Sequence, residues 1–478
     1  MEVVGREACC LKKRYREQLF LKPFFYPLIG RVVDSGPPAA IFIFFSISIG
    51  SLRKLIKTHF VAQRMIKRPR GTRDFTPQEM ETRRYLEGLF RQEAEVHGFR
   101  EIATPIFEHT ELFTLKSGPN IVEEIYAFED KGGRSISLRP ELTAPAMRFF
   151  VNDLTNYPRP LKLFYFGQCF RYERPQSGRF REFFQFGAEL IGAPKPDSDA
   201  EVIGLAADMI RRSGLTDYRI RIGHIGVLRS KLYAGGVTPE NAPPILQKLD
   251  KKLFEEARSL MREAGMTDEA IEDVIGMTAI VGPPELLDEH PGEASSYLND
   301  LFVILRDFGI TNVEVDLGVV RGLDYYTGVV FEVDAPCLGA EKQICGGGSY
   351  SLSELFGGEK VFSTGFAIGF DRTLLALERE GLTPPEKRLQ AYVVPTSEAM
   401  RHKAFQIVAM LRREGISSDV DLMRRGIGKG MKHADAVGAR QVIIVGEKEE
   451  AQGGVTLRDL SDGQQRFLPM SELVQQLK

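Results

Sequence analysis

With 478 residues the chain is too long for one ordinary core, and length alone points to roughly three domains. Hydrophobic residues make up 43% and charged residues 27%, the balance of a soluble globular protein. A formal net charge of −2 argues against wholesale coating of nucleic acid, yet leaves room for a local basic patch on a near-neutral protein.

Residues 1–64 differ from the rest, with eleven Lys/Arg against four Asp/Glu and a nearly all-apolar run, Ala39–Gly50. That run falls short of the about 20 apolar residues that span a bilayer, and it lies too far in for an ordinary secretory signal. It reads equally as a buried or membrane-surface helix, or as part of an appendage ahead of Met65, where a well-formed domain opens. A helix start follows at Thr76-Pro77-Gln78-Glu79: Thr76 caps, Pro77 suits the first helical position and Glu79 completes a capping box. Tyr85, Leu86, Leu89, Phe90 and Ala94 recur at helical spacing, and Gly98 supplies the stop. Arg100–Pro105 reads as a strand. Leu161–Arg171 and Glu182–Gly192 read as two more, separated by a polar loop containing proline and glycine. Residues 223–306 are helical in pattern and read as an insertion between two β-rich blocks. Strand patterns return at Val313–Val320, Val329–Val333 and Val361–Ile368, and Phe370–Glu380 reads as a helix. Beyond the Thr383-Pro384-Pro385 linker, strands at Ala391–Val394, Ser418–Leu422 and Gln441–Val445 alternate with helices at 398–414 and Lys429–Val437, as in a small α/β domain.

Strand alternation places Gln185, Gly187 and Glu189 on one face of Glu182–Gly192, and Phe184, Phe186, Ala188 and Leu190 on the other. The same parity groups Tyr165, Gly167, Cys169 and Arg171. Gly167 and Gly187 are expected to let a flat ligand approach the backbone, although a sheet with one wet face fits the segment equally well. Between the strands stand Arg171, Arg174, Arg179 and Arg181. Guanidiniums are fixed forks of donors that keep their charge, which suits phosphate, and Arg171 sits at the strand end. The cysteines Cys9, Cys10, Cys169, Cys337 and Cys345 form no C-x-x-C pair, so neither a zinc site nor a disulfide framework is suggested. Cys345 has no histidine partner nearby and reads as a small packing residue. Gly426-Ile427-Gly428-Lys429-Gly430 misses the G-x-G-x-x-G spacing and reads as a turn into a basic helix. Arg424, Arg425, Lys429, Lys432 and His433 make that end basic, either as a solvated face or as an RNA contact.

YFGQCFRYERP (Tyr165–Pro175) with GRFREFFQFGAELIG (Gly178–Gly192) resembles motif 2 of the class II aminoacyl-tRNA synthetases. GFAIGFDRTLLAL (Gly365–Leu377) resembles their motif 3, and FREIATPIFEHTELF (Phe99–Phe113) their motif 1, with Pro105 in place. RGLDYYTG (Arg321–Gly328) closely resembles the signature of histidyl-tRNA synthetases, and CGGGSY (Cys345–Tyr350) resembles their second signature. LRPELTAP (Leu138–Pro145) is similar to the segment that binds the amino acid's ammonium. The resemblance runs from Lys67 to the C-terminus. Two departures bear on local packing: Ser349-Tyr350-Ser351 replaces the usual Arg-Tyr-Asp, and Leu142 stands where glycine is frequent.

The resemblance implies an α+β fold, with a class II catalytic domain on an antiparallel sheet, a helical insertion and a C-terminal α/β anticodon-binding domain. The expected divisions are an extension at 1–64, catalytic parts at 65–222 and 307–385, the insertion at 223–306 and the anticodon-binding domain at 389–478. It implies activation of histidine by ATP with Mg²⁺, transfer to tRNA, a cytoplasmic homodimer and no stable membrane association. Arg171 and Arg321 are implied catalytic groups flanking the α-phosphate. Glu141, Thr143 and Gln185 are implied to hold the ammonium, Glu189 and Tyr326 the imidazole, with Arg171, Arg321 and Tyr325 also in the histidine set. Arg171, Arg179 and Arg372 are implied ATP ligands, the last at the γ-phosphate. Arg424, Arg425, Lys429 and Lys432 are implied tRNA contacts. The rival is a synthetase-like regulatory subunit of histidine biosynthesis, which shares the catalytic fold but lacks the C-terminal domain and several ligands.

Overall fold

The structure, a computed structural model, describes residues 66–173, 178–319, 326–385 and 387–478. Helix α1 (Pro77–Val96) opens as its sequence requires: the Thr76 N–H donates to Glu79 Oε2 at 2.6 Å, and the Glu79 N–H donates to Thr76 Oγ1 at 3.3 Å. Gly98, at φ +78°, turns the chain out of it. Leu86, Phe90 and Ala94 are buried as expected, whereas Tyr85 is 44% exposed. The buried stripe instead takes in Arg83, Glu87 and Glu93, whose charges are paired with Asp371, with Arg84 and Arg91, and with Arg212.

β1 (Arg100–Glu101) is shorter than the expected strand. Pro105 has no N–H to donate, and the carbonyls of Thr104 and Pro105 are taken by the Arg139 guanidinium at 2.8 and 3.1 Å instead of by a neighbouring strand. β2 (Phe107–His109), β3 (Ala127–Glu129) and β4 (Ser135–Leu138) make a small sheet beside helices α2 (Thr110–Ser117) and α3 (Thr143–Phe149). The two motif 2 strands, β5 (Leu161–Phe170) and β6 (Glu182–Ile191), end within one residue of their expected limits. α4 (Asp197–Ser213) and β7 (Arg219–His224) follow, then the helices α5 (Ile225–Ala234), α6 (Ala242–Asp250), α7 (Phe254–Glu263) and α8 (Asp268–Met277). β8 (Val281–Gly282), α9 (Glu293–Asp307) and β9 (Val313–Asp316) lead to β10 (Tyr326–Asp334), β11 (Gln343–Tyr350), β12 (Ser363–Gly369) and α10 (Phe370–Arg379).

The large sheet runs β1-β5-β6-β12-β11-β10-β7-β9-β8. From β5 to β7 every pairing is antiparallel, while β1 joins β5 and β9 joins β7 in parallel. The α+β expectation therefore holds. α1, α4 and the helices after β7 bury one continuous core against the rear of this sheet, including Phe90, Phe164, Phe186, Leu205, Leu228, Leu298 and Phe370. The helical stretch is thus packed onto the sheet, not held off on its own core.

The C-terminal part has a sheet of its own, in the order β14-β13-β15-β16-β17. β13 (Leu389–Pro395), α11 (Arg401–Arg413), β14 (Ser418–Val420), α12 (Ile427–Ala436) and β15 (Ala439–Val445) are the expected alternation. α13 (Glu447–Ala451), the antiparallel pair β16 (Gly454–Asp459) and β17 (Gln465–Pro469), and α14 (Met470–Leu477) complete it.

Asp371, in the first turn of α10, joins three separate stretches of chain. Its Oδ1 accepts from Arg73 Nη2 and Arg83 Nη1, each at 2.6 Å, and its Oδ2 accepts the Phe184 N–H at 2.7 Å. The Arg83 guanidinium packs over the rings of Phe75, Phe184 and Phe370. Removing one member of a buried ion pair leaves the other uncompensated. Asp371→Ala should lower the unfolding free energy by about 3–5 kcal/mol, as read from urea denaturation of the full chain; a loss near zero would show that the two arginines find other partners.

Candidate functional site

β5 and β6 lie in full antiparallel register, Tyr165 opposite Gly187 and Gly167 opposite Gln185. As parity dictates, Phe164, Phe166, Phe184 and Phe186 gather behind, against Phe90 and Phe370, and the polar side chains stand in front. The two front-face glycines do not serve a flat ligand as expected. A Cβ at Gly187 would lie 2.4 Å from the Tyr165 ring, and one at Gly167 would lie 2.3 Å from the Arg139 guanidinium. The protein's own side chains fill that space.

A cavity of about 290 Å³ opens on this face, lined by Lys116, Glu141, Thr143, Arg171, Gln185, Tyr326 and Tyr350 among others. Glu189 lies behind it with no exposed surface. Tyr165 Oη donates to Glu189 Oε1 at 2.6 Å, and Tyr350 Oη donates to Oε2. Burial pushes the Glu189 carboxyl up to about 7, against the opposing effect of the phenol bonds. A Cβ at Gly365 would stand 1.7 Å from Glu189 Oε2, so only glycine fits there. Tyr326 borders the cavity, whereas Glu189 does not line it and meets it through Tyr350; neither Tyr350 nor Tyr165, the other phenol on Glu189, was assigned a role from sequence. Parity already put Tyr165 on this face, and Tyr350 stood inside the second signature.

Glu141 is turned toward the start of α3. Its carboxylate accepts the Thr143 N–H at 2.7 Å and the Ala144 N–H at 3.1 Å, and Lys116 Nζ lies 3.2 Å away. Lys116, like Tyr165 and Tyr350, is a site residue the sequence did not announce. Thr143 Oγ1 lies 3.2 Å from Tyr165 Oη, which brings the ammonium set and the Glu189 set together. Cys169 donates to Gln185 Oε1 at 3.3 Å, and burial pushes its thiol up to about 12, which makes it an inert packing group.

A second cavity, about 350 Å³, adjoins the first and shares Arg171 and Gln185 with it. Arg179 and Arg372 complete its cationic lining. Arg372 Nη1 donates to Gln343 O at 2.8 Å and Nη2 to Glu341 Oε2 at 2.9 Å, while Arg179 Nε donates to the same oxygen at 3.0 Å. Arg171 Nε donates to Pro140 O at 3.0 Å. Arg181 points elsewhere, onto the Tyr172 ring and Glu173 O. Arg174, Arg321 and Tyr325 lie outside the described residues.

Of the C-terminal candidates, Arg424, Lys429 and Lys432 are exposed. Arg425 is partly buried: its guanidinium Nη1 bonds to Asp421 Oδ1 at 2.6 Å and its backbone N–H donates to Oδ2 at 2.5 Å. Among the described residues Glu93, His97 and Asp208 alone have metal-like spacing, but the two acids already face Arg212 and Arg211, each at 2.7 Å. A larger, mostly apolar cavity of about 860 Å³ lies across Asp371, lined by Phe75, Leu374, Leu375 and Leu382, and holds none of the candidate ligands. No helix among the described residues is long and apolar enough to cross a membrane.

Residues 71–373 match the family described as Histidyl-tRNA synthetase, and residues 390–478 match the Anticodon binding domain. The histidine–tRNA ligase of Methanosarcina acetivorans is 44% identical over 418 residues, covering 86% of this chain and 98% of the relative. The solved apo histidyl-tRNA synthetase of S. aureus superposes with a TM-score of 0.66 at 31% identity, over 87% of this chain and all of that one. That of Nostoc gives 0.72 at 25% identity, over 86% and 98%. A sheet with motif 2 and motif 3 arginines in one cavity, a second cavity backed by the buried Glu189 beside it and this match across most of both chains lead to one conclusion: the chain belongs to the histidyl-tRNA synthetase family.

Proposed function

We propose that the chain is a histidine–tRNA ligase. A histidine carboxylate oxygen attacks the ATP α-phosphorus, the bond to the β-phosphate breaks and pyrophosphate leaves. The terminal ribose hydroxyl of tRNA then attacks the carbonyl of the adenylate, and AMP leaves. The observation that carries this reading is the adjacency of the two cavities across Arg171 and Gln185, one cationic and the other lined by Tyr350, behind which the buried Glu189 carboxylate is bonded.

Tyr326, with Glu189 acting through Tyr165 and Tyr350, reads the imidazole, a ring whose two nitrogens can donate and accept at once. Glu141, Thr143 and Gln185 receive the ammonium, which enters beside Lys116 at Glu141. Arg171 stands where carboxylate and α-phosphate meet, Arg321 stabilises the charge that develops there, and Tyr325 completes the histidine set. Arg179 and Arg372 exchange Glu341 for nucleotide phosphates. Mg²⁺ enters with ATP as a hard cation that takes oxygen ligands, and Glu173 and Glu341 are the carboxylates beside the arginines. The catalytic parts at 65–222 and 307–385, the helical segment at 223–306 and the tRNA-binding part at 389–478 divide the work. We place the enzyme in the cytoplasm, as a homodimer. Ile106, Phe107, Leu115 and Phe128, 44–57% exposed on and beside the small sheet, support a partner copy at motif 1.

The deciding experiment is amino-acid-dependent exchange of pyrophosphate into ATP. Exchange with histidine and no other standard amino acid is expected; none at all would favour the regulatory reading. Because the Glu189 carboxyl titrates at about 7, its charged form is present above that pH and lost below it. The kcat/KM for histidine should therefore rise as pH increases through about 7. Glu189→Gln should lower it by about 10- to 100-fold and leave only the titration of the substrate's own imidazole; an unchanged pH profile would remove Glu189 from histidine recognition. Deleting residues 387–478, which carry their own core, should spare exchange and severely weaken tRNA charging. Full charging by the truncated protein would overturn the role of that part. Phe107→Asp with Phe128→Asp should convert a sedimenting dimer to monomer, and a parent that is already monomeric would overturn the dimer.

A further inference from the structure

Lys116, in the last turn of α2, has a side chain that is 3% exposed, and it lines the same cavity as Glu141 and Thr143. A buried ammonium is costly without a charge partner. Lys116 meets one in Glu141, with Nζ 3.2 Å from Oε2. An ionised carboxylate offers about four acceptor positions. The backbone N–H groups of Thr143, 2.7 Å from Oε2, and Ala144, 3.1 Å from Oε1, take two of them and are fixed by the chain. Lys116 takes a third, from the end of a flexible four-carbon stem. Of these three donors it is the one that can turn away when another ammonium arrives.

The charges around the cavity are balanced. Among the described residues its charged lining is Lys116 and Arg171 against Glu124 and Glu141. A zwitterion adds no net charge to such a site. A bare amine adds one positive charge and sets two ammonium groups against the single Glu141 carboxylate, a like-charge approach in a partly buried setting. In an α-amino acid the carboxylate stands on the same carbon as the ammonium, so a ligand that takes Glu141 brings a new partner for Lys116 with it. One oxygen of that carboxylate attacks phosphorus, and the other is open to the lysine. We propose that Lys116 makes the site specific for an α-carboxylate: it exchanges Glu141 for the carboxylate of histidine, and so rejects amines that carry the imidazole but lack that group. This rests on the reading of the chain as a histidine–tRNA ligase and adds a residue to its amino-acid site.

Histamine and histidine share the ring and the ammonium and differ by the carboxylate. Their dissociation constants, measured by calorimetry on the full chain at one pH, give a ratio that a partly unfolded preparation does not alter. Histamine should bind the parent more weakly than histidine. In Lys116→Met the ratio of the histamine Kd to the histidine Kd should fall about 10- to 100-fold, the worth of a charge-assisted bond. Lys116→Gln, which keeps most of the stem, should lower it in the same direction, and Lys116→Arg, which keeps the charge, should stay nearer the parent's ratio. A ratio equal to the parent's in the methionine and glutamine variants would overturn the assignment. So would the loss of both ligands from both variants, which would make Lys116 a support for Glu141 alone. A parent that binds histidine yet exchanges no pyrophosphate would sink the ligase reading instead, with the ratio still deciding the role of Lys116.

Discussion

The catalytic half is organised around one buried carboxylate. Asp371 is held by two arginines and a backbone N–H, from three separate stretches of chain. The next residue on the same helix is Arg372, so whatever fixes Asp371 also fixes a guanidinium of the cationic cavity. Burying so much charge stabilises little by itself, because the loss of hydration offsets most of the attraction. What it supplies is register: α10 cannot rotate without stranding Arg83, which is 6% exposed.

On the front of the sheet the electrostatics are poised for exchange of partners. Arg179 and Arg372 share the Glu341 carboxylate, and Arg171 donates to a carbonyl, lies over the Phe183 ring and faces a distant Glu173 at 3.8 Å. These are contacts a polyphosphate can replace with shorter, charge-assisted bonds. The Glu189 floor is the opposite case. Its two oxygens are already bonded to phenols inside the protein, so it acts as a fixed acceptor whose cost of burial was met on folding.

The periodic parts of this structure could be read from sequence. The capping box at Thr76, the alternation along Glu182–Gly192 and the strand-to-helix passage into Arg372 are local patterns, and each forms as its pattern requires. What escaped depends on contacts between distant segments. Lys116 reaches Glu141 across 25 positions, Tyr350 reaches Glu189 across 161, and no spacing rule connects such pairs. Gly167 and Gly187 looked like openings because the sequence does not show that Tyr165 and Arg139 fill them. Arg425 looked like its neighbour Arg424, but the ion pair that ties it to the buried Asp421 is not marked in the sequence. β16 and β17 passed unread because their partners lie within a sheet whose order is set by tertiary pairing.

The contact at Gly365 sets a boundary on redesign. With Glu189 Oε2 only 1.7 Å from where its β-carbon would stand, Gly365 cannot take any side chain into the proposed amino-acid cavity without displacing the carboxylate. Two large side chains of the lining, Tyr326 and Tyr350, are places where room for a bulkier ring can be made. Cutting back Tyr350 also strips Glu189 of a donor, so enlarging the cavity on that side makes its base more acidic-proton-retaining and less discriminating at once. Tyr326 is the side from which an enlarged histidine analogue could be admitted while the carboxylate keeps both of its phenols.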